Sequence, residues 1–118
     1  MHNYKEIKIW KRARMLVKDV YLLTKEYPKE EIYGLTSQVK RAVVSIPANI
    51  AEGAGRGTNK DFSHFLDIAR GFLYELETLI ILSSDLEFIQ ESKSIEVLSE
   101  TTEILLMLNS FQSNLLKI

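Results

Sequence analysis

Lys11, Arg14, Lys18 and Lys25 stand three, four and seven residues apart, the steps that return a side chain to one side of an α-helix. Cations in such a row neutralise phosphates and release their counterions, so the chemistry on offer is contact with a nucleic-acid backbone without reading its sequence. Lys5, Lys8 and Arg12 flank the row, and Lys40, Arg41, Arg56 and Lys60 add charge from later segments. The candidate nucleic-acid-binding set is therefore Lys8, Lys11, Arg12, Arg14, Lys18, Lys40, Arg41, Arg56 and Lys60. The competing use of these residues is a solvated helix face. Residues 1–60 carry 12 Lys/Arg against 6 Asp/Glu, and residues 61–118 carry 3 against 10, so a net charge of −1 hides a division. A divided chain can present a basic surface despite an acidic overall balance. Attraction between the halves, inside one subunit or across two, is the alternative reading of the asymmetry.

Other constellations carry less. The GAGRG run at 53–57 precedes a helix start, where free amides and the helix dipole can hold an anion. No strand leads into it and no Gly-Lys-Ser/Thr follows, so it is not a nucleotide-binding fingerprint. A plain helix connection, with Arg56 and Lys60 as auxiliary phosphate contacts, fits better. Metal chemistry in a helical bundle needs Glu-x-x-His pairs on facing helices. Only His64 falls within a helical segment, with Asp61 and Asp67 at its neighbour positions; His2 lies in the N-terminal tail. No Ser/His/Asp grouping has support either, so neither a catalytic set nor a metal or cofactor is expected. Arg41, Ser45, Asn49, Glu52, Arg70 and Glu75 form a polar group with Glu77 nearby. Such residues are expected to fix helix register through paired hydrogen bonds, because a buried charge must be paired. On that reading alanine at Glu52 lowers the melting temperature.

Four helical segments must position these residues. The first spans about 4–26, with Ile9, Ala13, Leu16, Val20 and Leu23 as its apolar stripe and Trp10, Val17 and Tyr21 widening it. Pro28 ends it. The second spans about 35–54, with Leu35, Val39, Ala42/Val43, Ile46, Ile50 and Ala54 inward. It contains Pro47, which removes the bond to the Val43 carbonyl at a cost of about 3 kcal/mol. Packing of Ile46 and Ile50, and a Ser45 hydroxyl or water, are the expected compensation; two short helices are the alternative. Gly53, Gly55 and Gly57 suit a left-handed helix exit. The third segment spans about 59–86, capped at Thr58 or Asn59 with Asp61 completing a box, and its stripe is Phe62, Phe65/Leu66, Ala69, Phe72/Leu73, Leu76 and Leu79/Ile80. A close-approaching helix would explain Gly71 at its middle. The fourth spans about 94–116, with Ile95, Leu98, Leu105, Leu108 and Leu115 inward.

A chain of 118 residues, 46% hydrophobic and 26% charged, is sized for one folded domain rather than a disordered segment. It has no cysteine, so disulfides and thiolate metal sites are excluded. No apolar run approaches a membrane span, and the charged N-terminus is unlike a secretory signal, which makes the cytoplasm the expected compartment and a membrane partner unexpected. Short connections predict an all-α, antiparallel up-down-up-down four-helix bundle. Five consecutive apolar residues at Ile104–Leu108 and four at Leu79–Leu82 wrap more than one helix stripe, so a homo-oligomer is predicted to cover the excess.

SIPANIAEG at Ser45–Gly53, with Ile9-Trp10, Ala13, Tyr33-Gly34-Leu35, Ile68-Ala69-Arg70-Gly71 and Glu75-Leu76-Glu77 around it, resembles the 23S rRNA intervening-sequence proteins. That family is in turn similar to the accessory variability protein of diversity-generating retroelements. Phe72 departs from the serine common after the glycine in relatives. The resemblance implies a four-helix bundle assembling as a ring, commonly a pentamer. It also implies a link to ribosomal RNA genes and, through the retroelement relatives, a partnership with a reverse transcriptase. Taken together, the expectation is a non-enzymatic oligomeric adaptor. It would bind structured RNA, DNA or a nucleic-acid-processing partner through its basic N-terminal half. The alternative is a protein-interaction scaffold whose charge division serves assembly.

Overall fold

The computed structural model describes residues 2–117. Four helices, α1 (Lys8–Thr24), α2 (Leu35–Ala54), α3 (Asn59–Asp85) and α4 (Glu91–Leu116), carry the chain, with 3₁₀ turns at Tyr4–Glu6 and Lys29–Glu31. No strand occurs among the described residues. Each helix packs on its sequence neighbours, and α4 closes onto α1 to complete a bundle. The α2–α3 seam is the most extensive and the α1–α4 seam the slightest.

The stripes expected for the first three helices are the buried faces. Ile9, Ala13, Leu16, Val20 and Leu23 are buried on α1, Val39 through Ala54 at helical steps on α2, and Phe62, Leu66, Ala69, Leu73, Leu76 and Ile80 on α3. A core of this kind is the main stabilising term, at roughly 1.5–3 kcal/mol per large side chain buried. The first helix starts at Lys8 rather than Tyr4. Asn3 accepts the Lys5 N–H and starts a 3₁₀ turn, and Ile7 is extended at φ −80°, ψ 123°. That break brings the Tyr4 ring edge-on to Trp10, centroids 5.1 Å apart.

Pro47 sits inside one unbroken helix. Ser45 Oγ donates to the Arg41 carbonyl (2.7 Å) and Asn49 Nδ2 to the Ser45 carbonyl (2.7 Å), reinforcing the turns around the proline, while Ile46 and Ile50 are fully buried. The glycine exit differs from the expected left-handed cap: Gly55 has φ −82°, and no described glycine has positive φ. Gly53 is instead a packing residue. A Cβ there would lie 2.7 Å from Phe65 Cβ and 2.9 Å from Phe62 Cδ1, so only hydrogen lets α2 and α3 approach this closely. Gly71, expected at a close crossing, meets nothing within 4 Å.

Helix α4 departs most. It starts at Glu91, and Ile95 is exposed while Ser94, Val97, Thr101 and Ile104 face inward. Thr101 Oγ1 donates within reach of the Leu98 carbonyl and Glu77 Oε2, and Ser94 Oγ donates to the Glu91 carbonyl. Satisfied hydroxyls can be buried at little cost, and that leaves the isoleucine outside. Across the bundle, buried Tyr27 donates its hydroxyl to Ser83 Oγ at 2.6 Å. Burial pushes the Tyr27 phenol above its ordinary value, with the Ser83 bond opposing. Its contribution to stability is complete below the ordinary phenol range and is lost as pH rises through the raised value.

One buried hydroxyl lacks a partner. Thr36 Oγ1, in the first turn of α2, is inaccessible and makes no hydrogen bond. Valine has the same shape without the stranded oxygen. Thr36→Val is therefore expected to raise stability by about 1 kcal/mol in denaturant melts, since an unsatisfied buried group costs roughly 1–3 kcal/mol.

Candidate nucleic-acid interface

The bundle sorts the basic residues into three groups. Arg14 and Lys18 of α1, and Lys25 at its C-cap, share a groove with Lys40 of α2, along the seam between the two helices. Its floor is Val17, Tyr21 and Leu22, its volume is about 490 Å³, and no carboxylate lines it. A second, smaller depression joins Lys11, Arg14 and Lys18 around exposed Met15. At about 1.5 Å per residue, Lys11 to Lys25 covers roughly 21 Å of helix. Two cations already rest on aromatic faces. Lys40 Nζ stands 5.0 Å from the Tyr21 ring centroid and Arg14 Cζ stands 5.6 Å from that of Trp10. Lys11 Nζ reaches Glu6 only at 4.0 Å, between exposed side chains.

Lys8 and Arg12 lie elsewhere, on the flank of α1 that faces α4. Arg12 forms a two-pronged pair with Glu100, Nε to Oε1 at 2.8 Å and Nη2 to Oε2 at 3.0 Å, and a further contact to Met107 Sδ. The hydrogen bond and charge of Glu100 raise the Arg12 pKa above its ordinary value. That guanidinium is committed to joining α1 and α4. Lys8 borders a larger apolar groove between the N-terminal segment and Leu106, Met107 and Phe111 of α4.

The third group sits at the pole where α1 begins, marked by the His2 N–H bonded to the Ala54 carbonyl. Arg56 pairs with Glu52 one turn back at 3.2 Å and stacks over Phe65, 4.7 Å from its centroid. Lys60 is exposed on the first turn of α3, where Thr58 Oγ1 already accepts the Asp61 N–H. Arg41 joins none of the three groups: it is exposed nearer the start of α2, and consecutive helix residues point about 100° apart, so it does not share the groove of Lys40.

The expected polar network divides as well. Arg41, Ser45 and Asn49 are linked along α2 itself, and Glu52 pairs within α2 and its exit. Glu52 is exposed, and a one-turn pair of this type contributes about 0.2–0.5 kcal/mol. The drop in melting temperature expected of alanine there is accordingly a small one. Glu75 is half-buried on α3. Arg70 turns the other way, to α4. Its guanidinium donates to Asn109 Oδ1, Gln112 Oε1 and Asp67 Oδ1, and Gln112 Nε2 donates to the Ser63 carbonyl and to Asp67. The Gln112 bond, then Arg70, hold the Asp67 carboxyl below its ordinary range. That stabilisation is present above the usual carboxylate pKa and fades as pH falls through the lowered value.

Sequence reasoning did not single out Lys93, Glu100, Asn109 or Gln112, because partners on α4 are chosen by its rotation and not by any local motif. His64 is exposed beside Phe65. Among the described residues no group of three His, Asp or Glu side chains is placed to hold a metal, and no helix is long and apolar enough to cross a membrane.

No curated protein matches the chain. A family model, 23S rRNA-intervening sequence protein, matches residues 5–110. That span takes in all of α1 through α3 and most of α4, including the SIPANIAEG stretch of α2, the Gly53 contact, and Arg70 with its partners Asp67 and Asn109. The chain belongs to the 23S rRNA-intervening sequence protein family.

Proposed function

We propose that this chain is a non-catalytic, cytoplasmic adaptor whose α1–α2 face holds nucleic acid, structured RNA foremost, by its phosphates. The observation that carries the reading is the groove of Arg14, Lys18, Lys25 and Lys40: four cations on one open surface with no carboxylate in its lining. The family's name, with its reference to 23S rRNA, points the same way. The helices alternate direction in this reading. Arg12 with Glu100 and Glu26 with Lys93, and equally Ser63 with Gln112 and Glu77 with Thr101, pair rising with falling residue numbers. Copies assemble in a ring, commonly of five in the resemblance. Exposed Leu106, Ile81, Leu82 and Leu86 supply apolar surface for such contacts. Repetition of the groove around a ring would add avidity, and a reverse transcriptase is the partner class the retroelement relatives suggest.

The test is the salt dependence of binding to a structured RNA. Replacing Lys18, Lys25 and Lys40 together by glutamine is expected to lower the log–log salt slope by roughly two to three, close to one per lost phosphate contact. An unchanged slope, or no binding by the unaltered protein at low salt, overturns the reading. The scaffold alternative draws on a different observation: Asp19 and Glu96, beside the paired Glu26 and Glu100, line a groove at the α1–α4 seam that would receive the basic face of a second copy. Under that alternative the triple variant dissociates the oligomer instead.

A further inference from the structure

We infer that the α1–α2 groove accepts an unpaired nucleotide, with its base stacked on Tyr21 and its phosphates held by the surrounding cations. This rests on the phosphate-binding reading above and adds what that reading does not require. Phosphate contact alone needs charge and nothing beneath it. Here the charges surround an apolar floor, with exposed Tyr21 and Leu22 between Arg14, Lys18, Lys25 and Lys40.

An aromatic floor inside a basic rim is the arrangement that separates single-stranded from duplex recognition. Bases in a duplex are stacked on one another and show an aromatic ring only their edges. Bases in loops, bulges and ends present a free face, and aromatic side chains and cations take it up. Lys40 already occupies the Tyr21 face with its ammonium, 5.0 Å from the ring centroid. A lysine stem is long and flexible. An incoming base can therefore displace the ammonium from the ring, and the base's own phosphate gives that ammonium a stronger, anionic partner. Both the ring and the cation stay satisfied. Volume agrees, since about 490 Å³ falls in the range of small-molecule sites and leaves room for a base and sugar. The lining also has no carboxylate to repel the strand.

The experiment compares fluorescein-labelled oligo-uridine, which lacks stable structure, with a blunt RNA duplex of equal length, by anisotropy at low salt. Tyr21→Ala is expected to weaken oligo-uridine binding roughly 5- to 150-fold, the value of one base–aromatic stack, and to change duplex binding by less than about twofold. Tyr21→Phe keeps the ring and should bind like the unaltered protein, while Lys18→Gln should weaken both probes. Equal effects of Tyr21→Ala on both probes, or none on either while both still bind, overturn the stacking inference and leave the phosphate reading standing. Duplex binding without oligo-uridine binding does the same. Failure of both probes to bind the unaltered protein overturns the two together. Tyr21 is 40% exposed, so the alanine variant is expected to fold, and its far-ultraviolet circular dichroism should match that of the unaltered protein.

Discussion

Phe62→Ala is expected to cost this protein about 3–5 kcal/mol, the usual range for deleting a buried aromatic ring. Phe62 is fully buried. Its ring packs at 5.5 Å from Phe111 of α4 and 5.1 Å from His2 of the N-terminal segment, and its edge faces Gly53 of α2. One side chain thus joins three other parts of the fold, and neighbours held by four converging segments cannot easily collapse into the space it leaves. A domain of this size is commonly stable by only about 5–15 kcal/mol, so the loss is a large share of the total. Urea melts at fixed protein concentration give the measurement, with the midpoint falling and the slope retained. A loss below about 1 kcal/mol would show that Phe62 does not hold these segments together.

The second large effect contrasts two glycines. In a helix interior alanine is favoured over glycine by about 1 kcal/mol, and at Gly71 nothing stands within 4 Å of the added methyl. Gly71→Ala should therefore stabilise the bundle by that amount. At Gly53 the same methyl meets Phe65 Cβ at 2.7 Å and the Phe62 backbone oxygen at 3.3 Å. Neither is the far end of a flexible chain, so α2 and α3 must part. Overpacking of this kind costs about 1–3 kcal/mol and outweighs the propensity gain. Gly53→Val, with a branched side chain, should cost more and is the sharper variant to melt. Stabilisation by Gly53→Ala would refute the close α2–α3 approach. Destabilisation at Gly71 would instead mark that surface as covered by another copy.

Three of the four helices were legible from periodicity alone, because apolar residues recur at three- and four-residue steps along their buried faces, and the buried hydroxyls of Thr24, Thr36, Ser63 and Ser83 do not interrupt the stripes. Helix α4 was not. Ser94 and Thr101 occupy buried positions with their hydroxyls bonded locally, so a hydrophobicity pattern rotates the helix and places Ile95 inward, whereas the bundle leaves it 57% exposed. That rotation also decides which acidic residues meet α1, and so it removes Arg12 from the candidate interface. The row Lys11, Arg14, Lys18 could be read because all its members share one helix. Lys40 joined the candidates on charge alone; that it, and not its neighbour Arg41, completes the groove depends on how α1 and α2 lie against each other. The glycines show the same limit: spacing places them at helix ends and crossings, but only the neighbouring helix reveals that Gly53 is the crowded one.

Helix α1 separates charge across its own width. Arg14, Lys18 and Lys25 look out on the α2 side with no carboxylate among them, while on the α4 side Asp19, Glu26, Glu96 and Glu100 stand with Arg12 and Lys93, which pair with two of them. The molecule thus carries a transverse electric dipole despite near-neutrality. A polyanion drifting towards it is turned before it touches, drawn to the flank whose cations are uncompensated. Encounter is oriented by the field at long range, and added electrolyte blurs that orientation once screening shrinks to about 10 Å, less than the bundle's 20 Å narrowest extent.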